Sequence, residues 1–432
     1  MARPSVLFIT GDPVGAELGG NAIRAFELAR ASASAADVVL AAPPGRGAPP
    51  DAVPTVPYDP AHPHALRPLI AAADVVVAPP QGAEVSAWLR RADAALVFDL
   101  YDPGALEALA AHAGATAARR RFWSTLAVDQ LLEALHLGNR FICASERQRD
   151  LWLGAMMAGR LLSPAAHDAD PTLRSVIDVV PFGVPEQPPT RADGVLRARF
   201  PQLAPDAEVV LWNGGIWNWL DPETAVRAVA LLARRRPRGA LVFMGRPPLA
   251  EADGRRAQAA REIALRAGLL DRTVFFNDTW VPYAERGAWL LEADCAVSAH
   301  EDQLETRFAF RTRLLDCFWA GLPVVCTAGD ELAERIARDD LGATAPPGDA
   351  AALAGGLAQV LERGRDAYAP ALADAAAAFA WPAVAAPLVR FATASVHPPP
   401  LGAGWDRRAA RPVQRLRAVG IRTGRRARRL LP

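Results

Sequence analysis

VLFITGDPVGAELGGNAIRAFELAR (residues 6–30) stands near the start of the 432-residue chain, and its reading decides the fold. Val6 to Thr10 form a short, nearly unbroken apolar run. A glycine-bearing loop follows, and then an amphipathic pattern of helical length. A continuous apolar run, as opposed to an alternating one, marks a strand covered on both faces, as in parallel α/β sheets. The same kind of run recurs at 37–42, 74–79, 95–100, 140–145 and 177–183. A second series lies at 208–215, 240–245, 273–276, 294–299 and 323–327. Two series predict two doubly wound, Rossmann-like parallel-sheet domains.

The joins are legible in composition. Residues 181–194 (PFGVPEQPPTRADG) are rich in proline after a strand and suit an interdomain linker. We divide the chain into a first domain at 1–185, a second at 186–380, a returning segment at 381–395 (within it WPAVAAPLV, 381–389), and a Pro/Gly linker with an Arg-rich tail at 396–432. In open α/β sheets ligands bind beyond the carboxyl ends of the strands, so two facing sheets would surround one cleft with their loops.

The bulk numbers exclude several classes. The four cysteines (Cys143, Cys295, Cys317, Cys326) form no CxxC pair and have no histidine at metal spacing, so they are expected to be buried free thiols of a reducing compartment. No signal peptide is expected, because Met1 to Pro4 runs straight into the first strand. No run reaches the roughly 20 apolar residues of a membrane span. The sequence contains no lysine, and a GC-rich coding bias is the plain explanation. The net charge of +1 hides an asymmetry: residues 405–432 hold ten Arg and one Asp, about +9, which leaves about −8 on the remainder.

Five loops after strands carry candidate chemistry. Gly15, Gly19, Gly20 and Asn21 precede the first helix, where bare backbone amides and the positive helix end suit an anion or a sugar hydroxyl. The spacing is neither G-x-G-x-x-G nor a P-loop, and a purely structural glycine turn competes. Asp99, Tyr101 and Asp102 follow the strand 95–100, placed for ligand hydroxyls or proton transfer, with helix capping by Asp102 as the plainer account. Asn213, Gly214, Gly215, Trp217 and Trp219 form a loop that either stacks on a ligand or wedges a domain interface, and Asp221-Pro222 reads as the N-cap and N1 of the next helix. Gly245 turns the chain after 240–244 and presents Arg246 for bidentate phosphate contact or for plain solvation. Finally, HEDQLETRFAFRTRLLDCFWAGLPVV (300–325) places Arg311 and Arg313 near a helix start, where they oppose the dipole unless an anion binds there or Glu305 and Asp302 pair with them.

Taken in order, GGNAIRAFELAR, the second-domain Gly-Gly turn and the acidic helix ending AGLPVV resemble the GT-B-fold glycosyltransferases, specifically glycosyltransferase family 4, over about residues 5–390. The resemblance implies GT-B architecture, two such domains facing a central cleft with a basic C-terminal tail. It also implies transfer of a sugar from a UDP-, GDP- or dTDP-sugar to a glycan or lipid-linked acceptor, with retention and with neither a metal nor a cofactor required. The second domain would hold the donor and the first the acceptor. Asp99 and Glu305 are then the catalytic candidates, Asp99 at the transferred sugar or acceptor and Glu305 at donor hydroxyls. Asp316 would meet the ribose; Gly214, Gly215, Trp217, Gly245, Arg246, Arg311 and Arg313 complete the donor side. Gly19, Gly20, Asn21, Tyr101 and Asp102 fall to the acceptor. The family's Glu-x7-Glu motif is incomplete: aligning on AGLPVV puts Asp316 at the second acid but Phe308 at the first, with Glu305 three residues early. The family's diphosphate-binding lysine is absent, and arginines are the substitutes. A nucleotide-sugar epimerase or hydrolase on the same scaffold, and a non-catalytic binding protein, are the alternative readings.

The tail places Arg415, Arg422, Arg425, Arg426 and Arg429 among Val413, Leu416, Val419, Leu430 and Leu431, as expected of a segment lying on an anionic bilayer. Gly420 and Gly424 weaken a helix there, so a disordered solubilising tail is the other account. Nucleic acid is not expected, since Trp405 alone is interleaved with the arginines. A cytoplasmic envelope-polysaccharide enzyme, peripheral on the inner membrane face, is the expectation.

Overall fold

The computed structural model describes residues 3–111, 114–217, 219–245 and 251–404. Arg246 and the arginines assigned to the tail lie outside the described residues.

The first series of apolar runs forms β1 (Ser5–Ile9), β2 (Asp37–Ala42), β3 (Thr55–Pro57), β4 (Val75–Ala78), β5 (Ala95–Asp99), β6 (Arg140–Cys143) and β7 (Ile177–Val179). They build one parallel sheet in the order β3-β2-β1-β4-β5-β6-β7. The second series forms β8 (Glu208–Trp212), β9 (Gly239–Phe243), β10 (Val274–Phe276), β11 (Cys295–Ser298), β12 (Val324–Thr327) and β13 (Gly342–Ala345). They too are parallel, in the order β10-β9-β8-β11-β12-β13. The chain reverses direction across the first sheet between β1 and β4, and across the second between β8 and β11. Those are the points where an open α/β sheet leaves a crevice.

Both faces of β1 are buried: Val6 and Phe8 join one cluster, and Leu7 and Ile9 the other. The first of these clusters does not stop at the domain boundary. It runs from β1 through Phe26, Phe182 and Trp381 into Trp212 and Phe243 of the second domain. The helix Trp381–Ala392 accounts for this continuity, because it returns from the second domain to pack on the helix Gly20–Ser32. Val184 and Trp381 are joined by a backbone bond of 3.0 Å, and Val184 and Phe379 by one of 2.8 Å. A side chain at Gly183 would bring its Cβ within 2.6 Å of the Trp381 ring, so the linker has glycine where the indole crosses. Phe182 closes the contact at a ring separation of 4.9 Å.

The edge strands β3 and β13 were not expected from sequence. Each is short, and neither carries the apolar run that identifies the interior strands (TVP and GATA). The four cysteines are buried and unbridged. No helix among the described residues is long and apolar enough to cross a membrane.

Replacing Trp381 by Ala empties a site that is 1% exposed at the join of the domains. Unfolding free energy in urea should fall by about 3–5 kcal/mol, as for other buried tryptophans cut to alanine. A loss within error of zero would show that the join is not held by this ring.

Candidate functional site

Two cavities lie beyond the strand ends, and the chemistry of their walls differs. One, of about 290 Å³, opens between the domains. Leu18, Gly19, Gly20 and Ile23 form its first-domain side; Gly214, Gly215, Trp217, Gly245, Tyr283, Arg286, Thr312, Arg313 and Asp316 are among the residues opposite. The other, of about 310 Å³, sits within the first domain at the β1/β4 reversal, lined among others by Asp12, Asn21, Arg24, Asp99, Asp102 and Glu107.

The interdomain cavity is built largely from bare backbone. Gly19 is the N-cap of the helix Gly20–Ser32, and no side chain caps it. The amides of its first turn therefore lack helical partners and open on the cavity. Opposite, Gly214 adopts φ +89°, a left-handed conformation favouring glycine. Gly245 must be glycine for a different reason: a Cβ there would stand 2.2 Å from the Gly214 carbonyl oxygen. Trp217 is 39% exposed and stacks flat on Trp219, with ring centroids 5.6 Å apart. Trp219 packs against the core, so the loop both anchors itself and offers an indole to the cavity.

The stretch 300–325 is two helices, Leu304–Phe308 and Thr312–Trp319, broken at Ala309–Arg311. That break separates the two arginines. Arg311 is 4% exposed and turns inward to pair with Asp330 and donate to the Thr327 carbonyl at 2.7 Å. Assigning it to the donor is corrected: its charge is already neutralised. Arg313 faces the cavity, donates to the Gly215 carbonyl at 3.1 Å and lies 5.7 Å from the centre of the Trp212 ring. Among the described residues it has no carboxylate partner within ion-pair distance. Burial, and then Arg311, lower its pKa to about 10, so it remains charged at neutral pH. Asp316 also lines this cavity, with one oxygen 3.1 Å from Arg286 Nε. Arg286 in turn lies over the rings of Tyr283 and Trp319.

Gly19 and Gly20, expected on the acceptor side, stand in the interdomain cavity with Gly214 and Gly215. Neither lines the first-domain cavity. Asn21, one residue on, does face that cavity, and its side chain bonds to Asp102.

Asp99 lines the first-domain cavity but is gripped by Arg24, whose Nε and Nη2 reach its two oxygens at 2.6 and 3.0 Å. Both of its oxygens are thus engaged within the protein. Asp102, Glu107 and Asp12 line the same cavity without such a cation. Burial first, and for Asp102 then Glu107, raise Asp102 well above the ordinary carboxylate range. Burial and then Glu305 raise Glu107 to about 7. Glu305 itself is 6% exposed on the helix Leu304–Phe308, and burial followed by Asp102 raises it to about 7. Its charge interacts with Asp102 and Glu107 of the first domain. Tyr101 joins the two cavities, since its hydroxyl bonds to Thr312 while its ring lies under Arg24 at 4.7 Å.

Sequence reading missed Arg24, Asp12, Glu107, Tyr283 and Arg286. Arg24 and Asp12 lie in the stretch 6–30, and Glu107 in the helix Gly104–Ala111 that follows Asp102, but only the fold turns them into the cavities.

Glu107 and Glu305 fix a pH dependence. In the unfolded chain they release protons near the ordinary 4.5, whereas in the folded chain they hold them up to about 7. The native state therefore binds more protons in this window, and their contribution to stability falls as pH rises through it. His300 works the other way below its ordinary 6.5, because burial and then Arg311 and Arg313 hold it neutral. The comparison must accordingly be between wild type and Glu107→Gln. The variant should gain stability relative to wild type as pH rises from about 5 to about 7.5, read from urea midpoints; a constant difference contradicts the assignment.

Comparison with known proteins agrees with this architecture. Residues 207–363 match the family model described as glycosyl transferases group 1. No curated protein sequence matches the chain. Among solved structures, Anabaena HepE, determined with UDP and glucose, superposes with a TM-score of 0.63 at 14% identity, over 90% of this chain and 98% of that one. Sucrose-phosphate synthase from Thermosynechococcus elongatus gives 0.61 at 16%, over 90% and 98%. WaaG, a glycosyltransferase involved in lipopolysaccharide biosynthesis, gives 0.57 at 15%, over 89% and 99%. Such identities speak to fold, and the matched segment to the second domain: the chain has the GT-B fold, and residues 207–363 match the model of group 1 glycosyl transferases.

Proposed function

We propose that the chain is a family 4 hexosyltransferase that moves a sugar from a nucleotide-sugar donor in the interdomain cavity to an acceptor hydroxyl in the first-domain cavity, with retention and without a required metal. The observation that carries this reading is Arg313, a cation in the cavity wall with no carboxylate of its own, facing the uncapped helix end at Gly19 and Gly20. A leaving diphosphate needs fixed positive charge and bare amides where its negative charge grows, and both are already oriented there. HepE, solved with UDP-glucose as well, supports a uridine diphosphate sugar as the first donor to try.

In this mechanism the Gly214–Gly215 turn lets the diphosphate approach the backbone closely, and Arg313 holds it. Asp316, kept in place by Arg286, accepts from ribose hydroxyls. The exposed face of Trp217 stacks on the donor. Tyr101, bonded to Thr312 across the cleft, sets the boundary between donor and acceptor. Glu305, protonated near neutrality, can give or take a proton beside the acceptor carboxyls. The acceptor is a glycan or lipid-linked saccharide, and the 405–432 tail docks the enzyme peripherally on the anionic inner face of the cytoplasmic membrane.

UDP binding by calorimetry tests the donor site. Arg313→Ala should weaken it about ten- to a hundredfold, the span expected when a charge-assisted bond is lost. Unchanged affinity would remove the diphosphate from this cavity, and absence of both transfer and donor hydrolysis across UDP-, GDP- and dTDP-sugars would refute the transferase reading. For the tail, deletion of residues 405–432 should abolish sedimentation with phosphatidylserine vesicles; equal sedimentation of both forms would show that the tail is not the anchor.

A further inference from the structure

The two cavities adjoin but carry opposite charge. Among the described residues, Arg286 and Arg313 stand against the single acid Asp316 around the interdomain one. Around the first-domain one, again among the described residues, Asp12, Asp99, Asp102 and Glu107 stand against the single cation Arg24. Arg24 is also committed, since it donates to both oxygens of Asp99 and to the carbonyls of Val180 and Pro181 at 2.8 and 3.1 Å. Three lining carboxyls are thus left without a cation in the cavity wall.

Glu305 makes the excess larger. Its Oε2 is buried and accepts no hydrogen bond, and the group interacts electrostatically with Asp102 and Glu107. Carboxyls crowded in this way, Glu305 buried and the others half-buried, repel one another when ionised and are pushed toward their protonated forms. Asn21 supplies Asp102 with one neutral hydrogen bond, which does not change the charge balance. Such a cavity disfavours any ligand that brings more negative charge. A ligand that brings a compact cation allows the lining acids to ionise around it.

We propose that the first-domain cavity selects an acceptor bearing a protonated amino group, an aminocyclitol or amino sugar, and excludes phosphorylated or carboxylated ones. Asp102 and Glu107 are the specificity-determining pair, because they line the cavity and face Glu305. Asp12 adds charge at the mouth, where its carboxylate comes within 3.6 Å of the Cβ position of Gly19. The proposal rests on the reading of this cavity as the acceptor site. Any phosphate that links the acceptor to a carrier lies outside the cavity.

Calorimetry on the full chain with three cyclitols separates the charge classes: 2-deoxystreptamine, myo-inositol and myo-inositol 1-phosphate, each titrated with and without saturating UDP. The diamine should bind about tenfold or more tighter than the neutral cyclitol, and the phosphate weakest. With UDP filling the interdomain cavity this order should persist. Asp102→Asn/Glu107→Gln should bring the diamine to within about twofold of the neutral cyclitol, with melting temperature and circular dichroism confirming a folded chain. Should the double variant fail to fold, the wild-type series decides alone. Equal or tighter binding of the neutral or phosphorylated cyclitol, or no binding of the diamine, overturns the proposal. Failure of UDP to bind would strike at the donor reading and leave the charge order of the first cavity to be judged separately.

Discussion

Arg24 is the interaction on which the rest of the structure depends. It is 2% exposed and rises from the first helix to meet Asp99 at the end of β5 through two parallel bonds. The same guanidinium holds the carbonyls of Val180 and Pro181, where β7 becomes the interdomain linker. One side chain thus ties together the first helix, the middle of the first sheet and the start of the hinge. A buried guanidinium is stable only when its charge and its donors are satisfied, and here Asp99 and two carbonyls do both. Removing either partner leaves an uncompensated charge beside the cavity. The pair also engages both oxygens of Asp99 at the strand end.

From that knot the electrostatic division of the cleft follows. With Arg24 neutralised by Asp99, the acids that remain around the first cavity have no counter-charge, and burial moves them toward their protonated forms. The second domain reverses the pattern. Arg311 is neutralised by Asp330 in the interior, and Arg313, two residues on, is turned outward by the helix break at Ala309–Arg311. Each domain uses one buried arginine to hold its loops and leaves opposite charge facing the cleft. The charge of the cleft therefore changes sign between the two cavities, near Tyr101 on one side and Thr312 on the other.

The fold was legible because strands covered on both faces read as apolar runs, and all eleven such runs in the sequence became strands, the edges β7 and β10 among them. The two strands that escaped notice are edges, where one neighbour is missing and the apolar demand is weaker. The glycines at 214, 215 and 245 were legible for a similar reason, since close backbone approach leaves few alternatives to glycine. Charged residues were harder to read. Arg311 and Arg313 look alike in sequence, but a two-residue offset at a helix start sends one into the core and the other into the cleft. Gly19 and Asn21 part company in the same way, because successive residues at a helix end face different cavities. Spacing identifies the loop, and only the direction of the helix axis assigns the cavity.

The kinds of contact across the cleft differ by place. At the linker they are apolar and continuous: Phe182 and Trp381 belong to one core with the second domain. Nearer the cavities they are polar: Tyr283 donates to Glu27 at 3.2 Å, Gln148 donates to the Phe308 carbonyl at 2.9 Å, and Arg147 donates to the Gly329 carbonyl at 2.9 Å. Polar bonds between surfaces exchange with water at small net change in free energy, whereas parting the apolar join would expose a tryptophan. Separating the domains would therefore cost more at the linker than beside the cavities. Gln148 is the polar bridge that touches both walls, because the amide that holds the Phe308 carbonyl also holds the carbonyl of Tyr101 at 2.7 Å. The position of Tyr101 is for that reason tied to the contact between the domains.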